Sequence, residues 1–108
     1  MDKKAVEEIV KRFCREIEAQ GVYPQKVILY GSYATGTFRE DSDIDLVVIS
    51  RDFAGKDFWE RIEILAKAVY VVFQPIEAVA MTPEEWERGD SMIADFARNG
   101  EVLYSGKG

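Results

Sequence analysis

The sequence predicts one small domain of the α/β (α+β) class, spanning residues 1–108, in which helices cover a three- or four-stranded sheet. The chain has the length of a typical domain, and 47% of its residues are apolar, so it can bury a hydrophobic core. Segments with helical spacing alternate with short β-branched runs along the chain. Such alternation is typical of helices packed on a sheet.

Residues 2–20 are predicted to form an amphipathic helix that ends at Gly21. Its apolar residues recur at steps of three and four, and these are Val6, Ile9, Val10, Phe13 and Ile17. The opposite face is charged, and we expect it to be solvated. We expect Cys14 to be a small buried hydrophobe.

Two short strands are predicted next, at residues 26–30 (KVILY) and 44–49 (IDLVVI). Both runs are too short for a helix, and the second is rich in β-branched side chains. Residues 33–42 between them contain Gly, Thr, Asp and Ser and should form a loop. A short helical turn directly after Gly31 is one option for its start.

The second half of the chain is predicted to add helices and a third strand. Residues 57–70 have helical spacing, with an apolar stripe formed by Phe58, Ile62, Leu65, Ala66 and Val69. The third strand is expected at residues 76–80. Residues 82–85 (TPEE) combine a cap, a proline and a Glu that are typical of a helix start. A further short helix is expected at 91–98, and a final extended piece at 102–104.

The composition excludes several classes of function. The net charge of -6 argues against a nucleic acid as a direct ligand, because phosphate backbones bind positive surfaces. The chain has no histidine, which excludes His-ligated metal sites and His-dependent triads, and its single cysteine excludes an intramolecular disulfide. Since no signal-peptide pattern or membrane-length apolar run is visible, we expect a cytoplasmic protein.

Two carboxylates at the start of the second strand are candidate metal ligands. Alternation along a strand places Asp43 and Asp45 on one face, with Ile44 and Leu46 on the other. Two adjacent carboxylates repel each other and add nothing to a hydrophobic core. A divalent cation removes both problems, and hard oxygen donors favour Mg²⁺ or Mn²⁺.

The pair Gly31-Ser32 directly after the first strand is a candidate phosphate-binding element. Glycine lets a backbone approach a ligand closely, and the Ser32 hydroxyl can donate a hydrogen bond to phosphate oxygens. Each part alone is a common loop or surface feature. A strand ending in Gly-Ser and followed by Asp-x-Asp on the next strand indicates phosphoryl or nucleotidyl transfer.

The segment VILYGSYATGTFREDSDIDLVVIS resembles the nucleotidyltransferases of the DNA polymerase β superfamily. Their motif is an apolar residue, Gly, Gly or Ser, roughly ten further residues, and Asp-x-Asp. More narrowly, the chain is similar over nearly its whole length to the minimal nucleotidyltransferases (MNT proteins). The resemblance implies the polymerase β-like fold, with a small mixed sheet covered by helices.

The resemblance also implies a role for each candidate residue. Asp43 and Asp45 would bind two Mg²⁺ ions, and Gly31 with Ser32 would bind the nucleotide. A third carboxylate on the next strand, here Glu77, would bind metal and help to deprotonate the acceptor. The implied reaction is transfer of AMP from ATP to an acceptor hydroxyl, with release of pyrophosphate.

The implied acceptor is a protein. MNT proteins are often paired with a helical HEPN protein in toxin–antitoxin systems, where the MNT antitoxin adenylylates the HEPN toxin on tyrosine. The resemblance therefore implies a HEPN-type toxin as the partner of this chain.

Two other functions stay open. The chain could be a catalytically weak or inactive antitoxin, a binding module that neutralises its partner by complex formation. Two departures favour that reading: Thr35 stands where many relatives carry Arg, and Glu77 stands where Asp is commoner. The other alternative is a small-molecule nucleotidyltransferase, against which the lack of a second domain to enclose a small acceptor counts.

Overall fold

The computed structural model describes residues 2–89 and 91–106. The helices are α1 (Lys3–Glu18), α2 (Ser32–Thr35), α3 (Phe58–Val72), α4 (Pro83–Arg88) and α5 (Met92–Ala97). The strands are β1 (Lys26–Tyr30), β2 (Ile44–Ile49), β3 (Ile76–Met81) and β4 (Glu101–Ser105). This order confirms the predicted class. Within the described ranges, no helix is both long and apolar enough to cross a bilayer.

The strands form one mixed sheet in the order β3-β2-β1-β4. β1 pairs antiparallel with both β2 and β4, whereas β2 and β3 are parallel. The parallel pair is possible because α3 crosses from the end of β2 to the start of β3. β3 and β4 are therefore the two edges of the sheet.

Each face of the sheet carries its own core. The larger core packs α1 and α3 against one face, and its buried strand residues include Val27, Leu29, Ile44, Leu46 and Val48. The smaller core packs α4 and α5 against the other face through Trp86, Ala94 and Ala97. The predicted apolar face of α1 and the burial of Cys14 are both confirmed.

The helix starts predicted from sequence also form. Asp57 caps α3, and Thr82 caps α4, each with a reciprocal capping box to a Glu three residues later. The first turn after Gly31 is helical and forms α2, which confirms the option of a short helical turn at the start of the loop.

The stripe predicted on α3 is buried only in part, since Leu65 is buried and Val69 packs against the larger core. Phe58 is 66% exposed and Ile62 is 39% exposed, while Ala68 and Val72, which lie outside the predicted stripe, are buried. Both sets follow helical spacing, because α3 carries apolar side chains on more than one face. Spacing alone could not select the buried face, and an apolar surface remains on the outside of the helix.

Candidate functional site

Tyr30, Asp45 and Glu77 lie side by side across three strands. Tyr30 pairs with Asp45 in the antiparallel ladder of β1 and β2, and Asp45 pairs with Glu77 in the parallel ladder of β2 and β3. The neighbours of Asp45 along β2, Ile44 and Leu46, belong to the core under α1 and α3. Since side chains alternate along a strand, the row of three lies on the opposite face of the sheet.

The carboxylates of Asp43, Asp45 and Glu77 interact electrostatically. Burial, the adjacent Glu77 carboxylate and the charge of Asp43 together raise the pKa of Asp45 to about 6. Burial and the charges of Asp45 and Glu77 also raise the pKa of Tyr30. Asp43 is exposed and lies directly before β2, so it borders the row without being part of the sheet.

Gly31 brings the first half of the motif against the second. Its backbone has φ 75° and ψ -153°, a combination that is essentially restricted to glycine. A Cβ at this position would overlap Oδ2 of Asp45 and lie 3.2 Å from its Cγ. The chain therefore passes directly over the carboxylate of Asp45 before it enters α2 at Ser32.

The segment after Ser32 is held by its own side chains. Tyr33 is 5% exposed, and its ring stacks on that of Phe38 with 4.6 Å between centroids. The hydroxyls of Thr35 and Thr37 are 2.8 Å apart, and the Ser42 hydroxyl accepts a hydrogen bond of 2.8 Å from the N–H of Arg39. These contacts fix the loop that joins Ser32 to Asp43.

The structure thus brings Gly31, Asp45 and Glu77 together and places Ser32 and Asp43 beside them. Sequence reasoning missed Tyr30, which it treated only as the apolar end of a strand. The available signal was its position directly before Gly31, at the end of β1, where strand pairing can place it next to the Asp-x-Asp pair.

The donor set fits a Mg²⁺ ion bound together with a nucleotide. Among residues 2–89 and 91–106, no three His, Cys, Asp or Glu side chains are close enough to hold a metal ion by themselves. Asp45 and Glu77 nevertheless provide adjacent hard oxygen donors, and a cation would relieve their repulsion. Mg²⁺ in proteins usually takes one or two carboxylates and completes its shell with water and substrate phosphates.

Comparison with known proteins gives a consistent picture. The family described as "Nucleotidyltransferase domain" matches residues 6–100. A protein of Methanocaldococcus jannaschii, provisionally named a protein adenylyltransferase, is 29% identical over 107 residues, which cover 95% of this chain and 98% of that protein.

Two solved structures share the fold. A crystal structure from Sulfolobus solfataricus, provisionally named a nucleotidyltransferase, superposes with a TM-score of 0.69 at 14% identity, covering 92% of this chain and 79% of that one. A complex of a tri-AMPylated Shewanella oneidensis HEPN toxin with an MNT antitoxin superposes with a TM-score of 0.56 at 20% identity, covering 95% and 72%. The fold expected from the sequence resemblance is therefore the one observed.

Proposed function

The chain belongs to the nucleotidyltransferase domain family, and from that premise we propose that it transfers AMP from ATP to an acceptor hydroxyl in a Mg²⁺-dependent reaction. One observation carries the proposal. The Gly31 backbone lies against the Asp45 carboxylate, and Glu77 is the next side chain across the sheet. This arrangement supports a phosphate-binding turn at Gly31 next to a metal-binding pair of carboxylates.

We assign a role to each group on that basis. Gly31 leaves room for the triphosphate beside the backbone, and the Ser32 hydroxyl donates a hydrogen bond to it. Asp43, Asp45 and Glu77 would hold Mg²⁺, which when bound neutralises phosphate charge and lowers the pKa of a bound hydroxyl. Glu77, at the edge of the sheet, is the carboxylate that an incoming acceptor would meet.

The bond changes are those of nucleotidyl transfer. The acceptor oxygen attacks the α-phosphorus of ATP, and the bond from that phosphorus to the bridging oxygen breaks. Pyrophosphate leaves, and Glu77 takes the proton of the acceptor hydroxyl. Because little covalent chemistry falls to the protein, its contribution is to position the groups and to balance charge.

We propose that the acceptor is a tyrosine hydroxyl on a HEPN-type partner protein. Two findings support this class of acceptor: the name of the M. jannaschii relative and the AMPylated HEPN toxin of the S. oneidensis complex. Glu77 is also exposed at the edge of the sheet, and Asp45 beside it is only partly buried, which suits a protein acceptor better than an enclosed small molecule.

A second candidate is a binding module that neutralises its partner without catalysis. The absence of three gathered metal ligands among the described residues favours it, as does Thr35 in place of a cation. The two candidates differ in what happens to the partner, since only the enzyme modifies it.

The test is to incubate the purified protein with α-labelled ATP, Mg²⁺ and a co-purified partner, and to compare wild type with Asp43→Asn/Asp45→Asn. Asp41→Asn, an exposed loop change, is the matched control. We expect label on the partner with wild type and the control, and none with the double variant. If the partner stays unlabelled with wild type but still forms a stable complex, the enzymatic proposal is wrong and the chain is a binding module.

A further inference from the structure

Among residues 2–89 and 91–106, no strand pairs with the outer edge of β3. The carbonyls of Pro75 and Met81 accept hydrogen bonds from N–H groups at the two ends of β2, at 2.8 and 3.0 Å. Because backbone groups of successive strand residues point to opposite sides, the N–H and C=O groups of Ala78 and Ala80 point away from β2. They lie along an edge that β2 does not reach.

This edge lacks the usual protection against pairing. Natural edge strands carry Lys, Pro or bulges, whereas β3 reads IEAVAM and has one charged residue, Glu77, near its start. A groove of about 510 Å³ runs beside the edge on the α3 side, and its lining includes the apolar side chains of Phe58, Ile62 and Leu65 and the charged side chains of Lys56, Arg61 and Glu85. A partner with apolar side chains bordered by polar groups would fit it.

The outside of α3 extends the same apolar surface. Phe58 is 66% exposed and Trp59 is 72% exposed, so both leave large rings in solvent at the start of the helix. Burial of such rings is a major source of interface energy. A partner that fits this side must therefore supply a strand to β3 and an apolar surface to α3 at the same time.

We propose that a second copy of this chain is that partner, with the two β3 strands paired antiparallel about a two-fold axis at Val79. This register places Ala78 opposite Ala80 of the partner subunit, so the outward backbone groups exchange hydrogen bonds. Val79 meets Val79 of the partner subunit across the axis. The surface is self-complementary, as a two-fold interface requires.

This register also keeps like charges apart. Glu77 lies opposite Met81 of the partner subunit, which separates the two Glu77 carboxylates by roughly 14 Å at about 3.4 Å per residue. The axis is perpendicular to the sheet, so both α3 helices lie on one face and their exposed rings approach each other. Both carboxylate rows then open on the other face of one eight-stranded sheet.

The interface is tested without nucleotide, so its outcome is independent of the proposed function. The residues at the axis form a non-hydrogen-bonded pair with Cα atoms about 4.5 Å apart, which is within disulfide range. Val79→Cys should therefore cross-link two chains under mild oxidation. Val102→Cys, an exposed change on the opposite edge strand β4, is the matched control, and buried Cys14 should not react.

We expect wild type to be a dimer by light scattering at about 50 µM, and at least tenfold more cross-linking for Val79→Cys than for Val102→Cys. Ala80→Pro removes an outward N–H while sparing the bonds to β2, so it should give a folded monomer. A monomeric wild type would overturn the proposal, as would a dimer that cross-links through Val102→Cys or survives Ala80→Pro. A monomer that binds an extended strand of another protein would assign the edge to that partner instead.

Discussion

Asp45 and Glu77 are paired in the parallel ladder of β2 and β3, and their carboxylates lie side by side on the same face of the sheet. Two adjacent carboxylates repel each other when both are ionised, which favours the protonated form of one of them. Burial is the first cause of the raised Asp45 pKa, about 6, and Glu77 is the second. The pair is therefore electrostatically unfavourable when both carboxylates are ionised, and a bound cation would relieve that repulsion.

Replacing Asp45 by Asn should stabilise the protein at neutral pH. Asp45 holds its proton more tightly in the folded state, with a pKa of about 6, than at its ordinary value of 3.8. Protonated Asp45 thus contributes favourably to the free energy of unfolding. This contribution is complete below about pH 4 and is lost as the pH rises through 6. Because the side chain is partly exposed, solvent screening limits the loss to about 1 kcal/mol, or roughly 4 °C in Tm.

The measurement is Tm by calorimetry, without metal, at pH 4 and at pH 8. Asp45→Asn should exceed wild type by that amount at pH 8 and match it at pH 4. Asp41→Asn, in the exposed loop, controls for the loss of a charge and should follow wild type at both values. A lower Tm for Asp45→Asn at pH 8 would contradict the argument.

Mg²⁺ with a non-hydrolysable ATP analogue should raise the Tm of wild type. A ligand that binds only the folded state contributes about 1.4 kcal/mol at a tenfold excess over its Kd. Glu77→Gln should lose most of this gain, because it removes half of the paired carboxylates, and EDTA should abolish it. Glu63→Gln, exposed on α3, should keep it. An equal gain in both variants would remove Glu77 from the metal site.

Local signals predicted the elements of this fold well. The spacing of α1 and the two capping boxes were readable because each depends on residues three or four apart. The outer face of α3 was not readable, since two apolar faces compete and only the packed structure selects one. The exposed Phe58 and Trp59 follow from that selection.

The site residues likewise fall into those that a local motif predicts and those that only strand pairing brings in. The motif indicated Gly31, Ser32, Asp43 and Asp45, but no local spacing relates Glu77 to them, and only the family resemblance supplied it. Its place beside Asp45 depends on the parallel pairing of β2 and β3. Tyr30 joins the row through the antiparallel pairing of β1 and β2, which is equally non-local.

Comparing Gly31→Ala with Gly36→Ala should distinguish the effect of backbone strain on stability from the effect of a side chain placed against Asp45 on activity. Both glycines have positive φ, 75° and 82°, so alanine is strained at each and should cost about 1–3 kcal/mol. Only at Gly31 would the new Cβ overlap the Asp45 carboxylate, because nothing lies within 4 Å at Gly36.

Nucleotide transfer should therefore fall at least 100-fold in Gly31→Ala, and change little in Gly36→Ala at a temperature where both are folded. The readouts are label transfer to the partner and Tm. Equal activity in the two variants would show that the close approach of Gly31 to Asp45 does not matter for the reaction.

Arg61 should stabilise the fold by joining α3 to α4. Its guanidinium donates to Glu85 Oε1 at 2.7 Å and to the carbonyls of Lys56 and Phe53 at 3.1 Å. Desolvation opposes the charge of Glu85, but hydrogen bonds from Thr82 and Arg61 and the Arg61 charge outweigh it and lower the pKa of Glu85. Arg61→Ala should cost about 2 kcal/mol in the free energy of unfolding.

Glu85→Gln isolates the ion pair, because the amide oxygen can still accept the N–H of Thr82 that caps α4. The lowered pKa of Glu85 stabilises the folded state at pH values above the ordinary pKa of a glutamate, and this stabilisation is lost as the pH falls. The loss in the free energy of unfolding caused by Glu85→Gln should therefore be smaller at pH 3 than at pH 7.

Lys11→Ala is the control for an exposed ion pair. It breaks an ion pair with Glu8 at 3.7 Å, in which both side chains are 62% exposed, and should cost well under 1 kcal/mol. Urea unfolding at both pH values measures all three. If Arg61→Ala is no more destabilising than Lys11→Ala, the contact between α3 and α4 owes its stability to apolar packing instead.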